Sequence, residues 1–340
     1  MRRTNTGKHV LFAILLGLAL LYPWIAPNDY YVYVMSLAYI MAIAAVGLNL
    51  ILGYTGQLNL AHAGFMAIGA YTVGILTVDY HVPYWIAFAL AGFVAAGLGF
   101  LAGMVSLRLK THYFAIFTLC VGVIIYLIIE KADALTRGTV GLMDIPAPSG
   151  IGPITFTSTT AQYYLVLISL GLSLFLMSRI VHSLLGRAFV AIRNSEELAK
   201  TLGINLMRTK VLAFVLSTFY AGFAGALYAG FVRFLGPDLA REHHAFDMMA
   251  FILVGGIGTL FGPVLGAVLL TWLTQSLQFL QDYRMIVFGP LLILLVMFFP
   301  RGIIGFYNER RARRSAAVAA AQRALGSRPS PSLDEVSTNA

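Results

Sequence analysis

The chain has 340 residues, 59% of them hydrophobic and 11% charged, with a mean hydropathy of +0.82; this composition excludes a soluble globular domain and predicts one integral, polytopic membrane protein. A net charge of +9 invites nucleic-acid binding, but the basic residues sort onto one side of the predicted membrane, so no nucleic-acid partner is expected. The single cysteine, Cys120, excludes a disulfide within the chain and any CxxC-type metal site.

Hydropathy predicts an all-α, polytopic transmembrane bundle of about ten spans, near 10–26, 31–52, 58–78, 84–107, 113–130, 162–179, 211–232, 246–258, 262–280 and 285–300. The first span ends in Tyr22-Pro23-Trp24 without a small-residue cleavage pattern and is expected to be retained. Between the second and third spans lies Gly53-Tyr54-Thr55-Gly56-Gln57. A break of this kind fits tight packing of helices, and it also fits an interrupted helix lining a cavity. Just beyond it come Gln57, Asn59 and His62, polar groups at membrane depth that mark a candidate translocation pathway. A hydrogen-bonded packing histidine is the competing reading of His62. Gly99 and Gly103 in the fourth span have the small-xxx-small spacing of close helix contacts.

After the sixth span, residues 182–210 form a polar island containing one short, punctuated helix. Asn194 is the expected N-cap, Glu197 its capping-box partner and Gly203 the C-terminal stop, so Ser195 to Leu202 is predicted helical, roughly 12 Å long. Glu196 and Lys200 have i,i+4 spacing, and Leu198, Ala199 and Leu202 supply a small apolar face. A helix this short is marginal alone in water and needs something to dock against. Docking into a groove on a soluble partner fits better than lying on lipid, because so few apolar residues give weak membrane affinity. A second glycine-rich break, Gly255 to Pro263, separates the eighth and ninth spans, and Gly262 and Gly266 repeat the packing spacing. The eighth span is too short to cross unaided, which allows a re-entrant segment.

Placing the N-terminus in the cytoplasm gathers most of the 23 basic residues there, including Arg108, Lys110, Arg187, Arg193, Arg208 and the arginines from Arg301 onward. Both termini and the island are then cytoplasmic. The expected organisation is a transmembrane domain over 1–305, with the island at 182–210, and a basic tail over 306–340. In that tail 308–325 is expected to form a basic helix on the lipid headgroups and 326–340, with its Ser-Arg-Pro-Ser-Pro stretch, to be disordered. No phosphate loop, HExxH or GxSxG motif occurs, so no enzymatic role, catalytic residue or cofactor is expected. The adjacent pair His243-His244 is a poor metal site without further ligands, and no metal is expected.

Several segments carry a resemblance. The run Gly186-Arg187-Ala188, Ala191-Ile192-Arg193, Asn194, Glu197-Leu198-Ala199 and Gly203-Ile204 resembles the EAA-type cytoplasmic loop of ABC importer permeases. GYTGQLNLAHAGFMAIGAY, RLKTHYFAIFTL, TRGTVGLMDIP, AFVLSTFYAGFAGALYA and GGIGTLFGPVLGA are similar, in order, to LivM-type permeases of branched-chain amino acid transporters. Ala61 stands where that family usually has glycine. The resemblance implies a multi-pass subunit of the bacterial inner membrane that works with a LivH-like second permease, two cytoplasmic ATPases and a periplasmic solute-binding protein. It assigns ATPase coupling to Arg193, Asn194, Glu196, Glu197, Leu198, Ala199, Leu202 and Gly203. It leaves the solute open between branched-chain or related amino acids and urea or short amides. A stand-alone secondary transporter is disfavoured because every Asp and Glu can be assigned to a loop or a span end. A lipid-modifying enzyme is disfavoured because His62 has no evident acid, base or metal-ligand partner.

Overall fold

The computed structural model describes residues 17–106, 111–150, 155–276, 297 and 302–305. Among them every regular element of more than one residue pair is helical, as the apolar spans predict. Residues 17–25 form α1. The central helix α2, Asp29–Asn49, is capped by the Asn28 side chain, which accepts from the Tyr31 N–H at 3.3 Å, and runs on into a π-helical turn, Leu50–Tyr54. Then come α3 (His62–Val78), α4 (Tyr84–Ser106), α5 (Thr111–Lys131) and the short α6 (Asp133–Thr136). The series continues with α7 (Thr159–Val181), α8 (Leu184–Asn194), α9 (Glu196–Thr201), α10 (Leu206–Val232), α11 (Glu242–Gly255) and α12 (Gly262–Ser276).

Five described helices are long and apolar enough to cross a bilayer: α2 with its π turn, α4, α5, α7 and α10. The described parts of the other expected spans are shorter. Helix α3 has 17 residues because the chain from Thr55 to Ala61 is not helical, so the expected span from 58 begins in helix only at His62. Helix α11 has 14 residues, roughly 21 Å at 1.5 Å per residue, short of a hydrocarbon core of about 30 Å; α12 is described over 15 residues as far as Ser276, where the described residues stop. The expected tenth span, the start of the first, and the basic tail lie outside the described residues.

Side-chain contacts fix how the helices run. Tyr84 at the start of α4 donates to the Ala226 carbonyl late in α10 at 3.1 Å, so these two are antiparallel. Gln275 at the end of α12 donates to the Tyr30 hydroxyl at 2.7 Å, and Trp272 stacks on Tyr31, so α12 returns alongside α2 in the opposite sense. At that end Leu142 and Leu235 exchange backbone hydrogen bonds of 2.8 and 3.0 Å, and Arg137 pairs with Asp79 at 2.7 Å. The island sits at the opposite end.

The core is held by close backbone approach. Glycine at position 225 lets α10 meet α3, since a Cβ there would overlap the Met66 carbonyl oxygen. The small-residue pairs noted in the sequence act the same way: Gly99 packs on Thr218 and Gly266 on the Phe251 carbonyl. Helix α2 is almost wholly enclosed, whereas α4, α5 and α7 carry outward rows such as Phe93, Ile116 and Phe175. Such rows suit lipid or another membrane subunit, and Cys120 is exposed on α5.

Candidate functional site

The island is built from two helices, not one. Ser183 caps α8, its hydroxyl accepting from the Leu185 and Gly186 N–H groups, and Gly186, Phe189 and Ile192 turn a buried stripe inward. Helix α8 runs to Asn194, so Asn194 is its last residue and not the cap of the next helix. That role falls to Ser195. Its backbone is extended (φ −164°, ψ 116°) and its hydroxyl accepts from the Leu198 N–H at 3.2 Å. Both residues are good caps by type; the one whose backbone leaves the helical region does the capping. The third residue beyond Ser195 is Leu198, so there is no capping box, and Glu197 stands exposed in the first turn.

The stop is as expected. Gly203 has φ +80°, its N–H donates to the Lys200 carbonyl at 3.0 Å, and the Ile204 N–H donates to Ala199 at 3.1 Å. These two bonds make a Schellman motif, which needs a left-handed residue and therefore favours glycine.

Two further expectations about α9 change. Glu196 does not pair with Lys200; its carboxylate meets the Lys210 ammonium of α10 at 2.6 Å, with Lys210 only 7% exposed. The apolar residues also divide. Ala199 is buried, seating α9 on its own chain, while Leu198 and Leu202 are 61% and 69% exposed and point away.

Arg193, in the last turn of α8, is exposed as a residue but reaches the first break with its guanidinium. Its Nη1 donates to the Gly53 carbonyl in the π-helical turn, and the side chain lies against Gly56 and Gly258. Gly258 belongs to the second break. There Asn49 uses both ends of its amide: Oδ1 accepts from the Gly258 N–H at 2.9 Å and Nδ2 donates to the Thr259 carbonyl at 2.8 Å. The two glycine-rich breaks therefore meet, and the island touches both through Arg193. Nothing in their positions along the chain signals this contact.

Of the candidate pathway residues, His62 is fully buried between α2 and α10. One ring nitrogen lies 2.8 Å from the Ala44 carbonyl and the other 3.5 Å from the Ser217 hydroxyl. Both ring nitrogens therefore have a partner. Gln57 and Asn59 lie on the non-helical segment, both buried. Its backbone is partly satisfied locally: the Gln57 N–H donates to Ile51 at 2.9 Å, the Ala61 N–H to Asn59 Oδ1 at 3.0 Å, and the Leu60 N–H to the Thr118 hydroxyl at 3.2 Å. Gln57 Oε1 and Asn59 Nδ2 have no hydrogen-bond partner among the described residues. The structure does not bring His62 to these two as one polar cluster by any hydrogen bond.

Asn49, Lys210 and Ser195 were not among the predicted site residues. Asn49 is discoverable as a lone amide inside an apolar span, whereas Lys210 stands out in the sequence only as one more basic residue of the island.

Comparison with known proteins gives a consistent result. Residues 30–296 match the family described as branched-chain amino acid transport system, permease component. The high-affinity branched-chain amino acid transport system permease protein LivM of Escherichia coli K12 is 32% identical over 324 residues, spanning 88% of this chain and 76% of the relative. LivH of Salmonella typhimurium is 26% identical over 284 residues, 78% of this chain and 91% of the relative. The autoinducer 2 import system permease protein LsrC of an Enterobacter strain is 29% identical over 289 residues, 79% of each. No solved structure matches.

Proposed function

The chain belongs to the family of permease components of branched-chain amino acid transport systems, and from that premise we propose how it works and with what. It is a multi-pass membrane permease subunit of an ABC importer. In the bacterial inner membrane it pairs with a LivH-like permease, receives branched-chain or related amino acids from a periplasmic binding protein, and takes its drive from two cytoplasmic ATPases, having no ATPase motif of its own. Permeases of both the LivM and LivH names are its relatives, which supports a paired permease.

The observation that carries the coupling part is α9. A capped helix that buries only Ala199 against its own chain, and holds Leu198 and Leu202 outward at 61% and 69% exposure, presents two adjacent apolar side chains beyond the membrane domain. They suit the groove of a soluble partner. Arg193 and Asn194 are not part of this surface in the proposal: one faces the membrane domain and the other ends α8.

The test is co-purification of the native complex together with uptake of radiolabelled leucine and of radiolabelled urea. Leucine uptake with ATPase subunits bound supports the assignment, and Leu198→Asp at normal membrane abundance should lose both. A chain that transports alone, or Leu198→Asp with full association and uptake, would overturn it. Uptake of urea in place of leucine would keep the coupling and replace the solute.

A further inference from the structure

We infer that Arg193 and Asn49 are positioning residues that form one joint, through which movement of α8 and α9 enters the two interrupted helices. This rests on the coupling role proposed for α9 and adds the route by which its motion reaches the membrane domain.

The island is fastened to the bundle in two different ways. On one side Glu196 pairs with Lys210, at the start of α10, an unbroken helix of 27 residues held against α3 at Gly225. That side gives little. On the other side Arg193 donates to the Gly53 carbonyl. The chain leaves helical geometry after Tyr54, and the Gln57 N–H goes to Ile51, so the last carbonyls of this helix depend on donors from outside it. A guanidinium at a helix C-terminus also meets the negative end of its dipole.

Asn49, about one turn earlier, continues the connection into the second break through Gly258 and Thr259, 209 and 210 residues away in sequence. No side chain separates the backbones of the two breaks, and Arg193 reaches both. A Cβ on Gly53 would stand 2.6 Å from the Gly258 nitrogen, and one on Gly258 would stand 2.8 Å from Arg193 Nη1 and 3.0 Å from the Gly53 oxygen. Displacement of α8 is thus transmitted to the ends of α2, α11 and α12 by direct polar contact. The breaks supply compliance, because helix ends can turn without breaking a ladder of intrahelical bonds. The planar, multi-donor guanidinium suits a site bordered by Gly53, Gly56 and Gly258; a lysine provides one point charge there.

The experiment uses the full complex in proteoliposomes with leucine-loaded binding protein, measuring leucine uptake and ATP hydrolysis in the same vesicles, and retention of the ATPase subunits by pull-down. Arg193→Ala and Asn49→Ala should keep the ATPase subunits, while uptake per ATP hydrolysed falls about tenfold or more. Arg193→Lys should recover part of that loss. Hydrogen exchange of residues 255–261 supplies a readout independent of the solute: nucleotide should alter it in the wild type and leave it unaltered in Arg193→Ala. Loss of ATPase subunits from Arg193→Ala would make the residue a docking contact and overturn the joint. Unchanged uptake per ATP, or an unchanged exchange response, would do the same. Should the alanine variants fail to assemble, Arg193→Lys with wild-type coupling refutes the need for a fork. A wild-type complex that exchanges normally on nucleotide but ignores leucine counts against the proposed solute and leaves the joint standing.

Discussion

The seat of α9 depends on an ion pair whose two halves lie in different surroundings, and that difference makes the cost of removing each partner unequal. Lys210 and Glu196 are 2.6 Å apart, with side-chain exposures of 7% and 44%. Breaking a fully buried pair costs about 3–5 kcal/mol, whereas an exposed pair is worth about 0–1 kcal/mol. Glu196→Ala leaves the enclosed ammonium without its carboxylate, and with water reaching half of the pair the expected cost is about 2 kcal/mol. Lys210→Met leaves a carboxylate that remains hydrated and a side chain that still fills the site, for about 0.5 kcal/mol. The opening equilibrium of α9 should therefore rise roughly thirtyfold in the first variant and about twofold in the second. The double variant should lie closer to Lys210→Met than to Glu196→Ala, because the stranded charge is gone. Hydrogen exchange at the Leu202, Gly203 and Ile204 amides, which close the helix, reads this directly. Equal effects of the two single variants, or a larger one for Lys210→Met, would refute the reasoning.

Gly203→Val should destabilise α9 by about 1 kcal/mol or more through backbone strain alone, since nothing lies within 4 Å of a Cβ there; Glu197→Ala should leave amide exchange in α9 near wild type, because Ser195 is the cap. Gly225→Ala should cost about 1–3 kcal/mol, read as a lower unfolding temperature in detergent, while Gly171→Ala, with nothing within 4 Å of a Cβ, should be silent; equal effects would contradict the α3–α10 seam. In a Cys120→Ser background, a cysteine at Ser149 should react with an impermeant reagent in spheroplasts and one at Glu197 only after permeabilisation. The reverse labelling would invert the orientation.

Hydropathy located the long helices because burial in lipid demands apolar residues all round, whatever their partners. Cap preference by residue type places the boundary inside the island one residue early, because Asn194 and Ser195 are both good caps by type and backbone angles choose between them. Helical spacing pairs Glu196 with Lys200 because it is local; the partner in the structure, Lys210, lies 14 residues away and comes near only when α9 folds back on α10. The breaks at Gly53 and Gly255 were visible as glycine clusters. Their meeting was not, because an amide such as Asn49 advertises a need for partners without saying which. His62 carries two readings in sequence, a pathway group and a packing histidine, and only the fold shows that both its ring nitrogens have partners.

The closeness of α10 to α3 has a consequence for how this sequence can drift. At Gly225 there is no small step available: alanine, the least change that adds a side chain, already drives a carbon into the Met66 carbonyl. On α5, by contrast, Ile116, Ile124 and Ile128 lie more than half exposed and can exchange for any apolar neighbour that tolerates their outer surroundings. Variation accumulating in such a gene would therefore pile up on the outward faces of the long helices and be nearly absent along the inner seam. A deep mutational scan should recover that contrast as two populations of positions, separated by distance between backbones and not by distance from the solute.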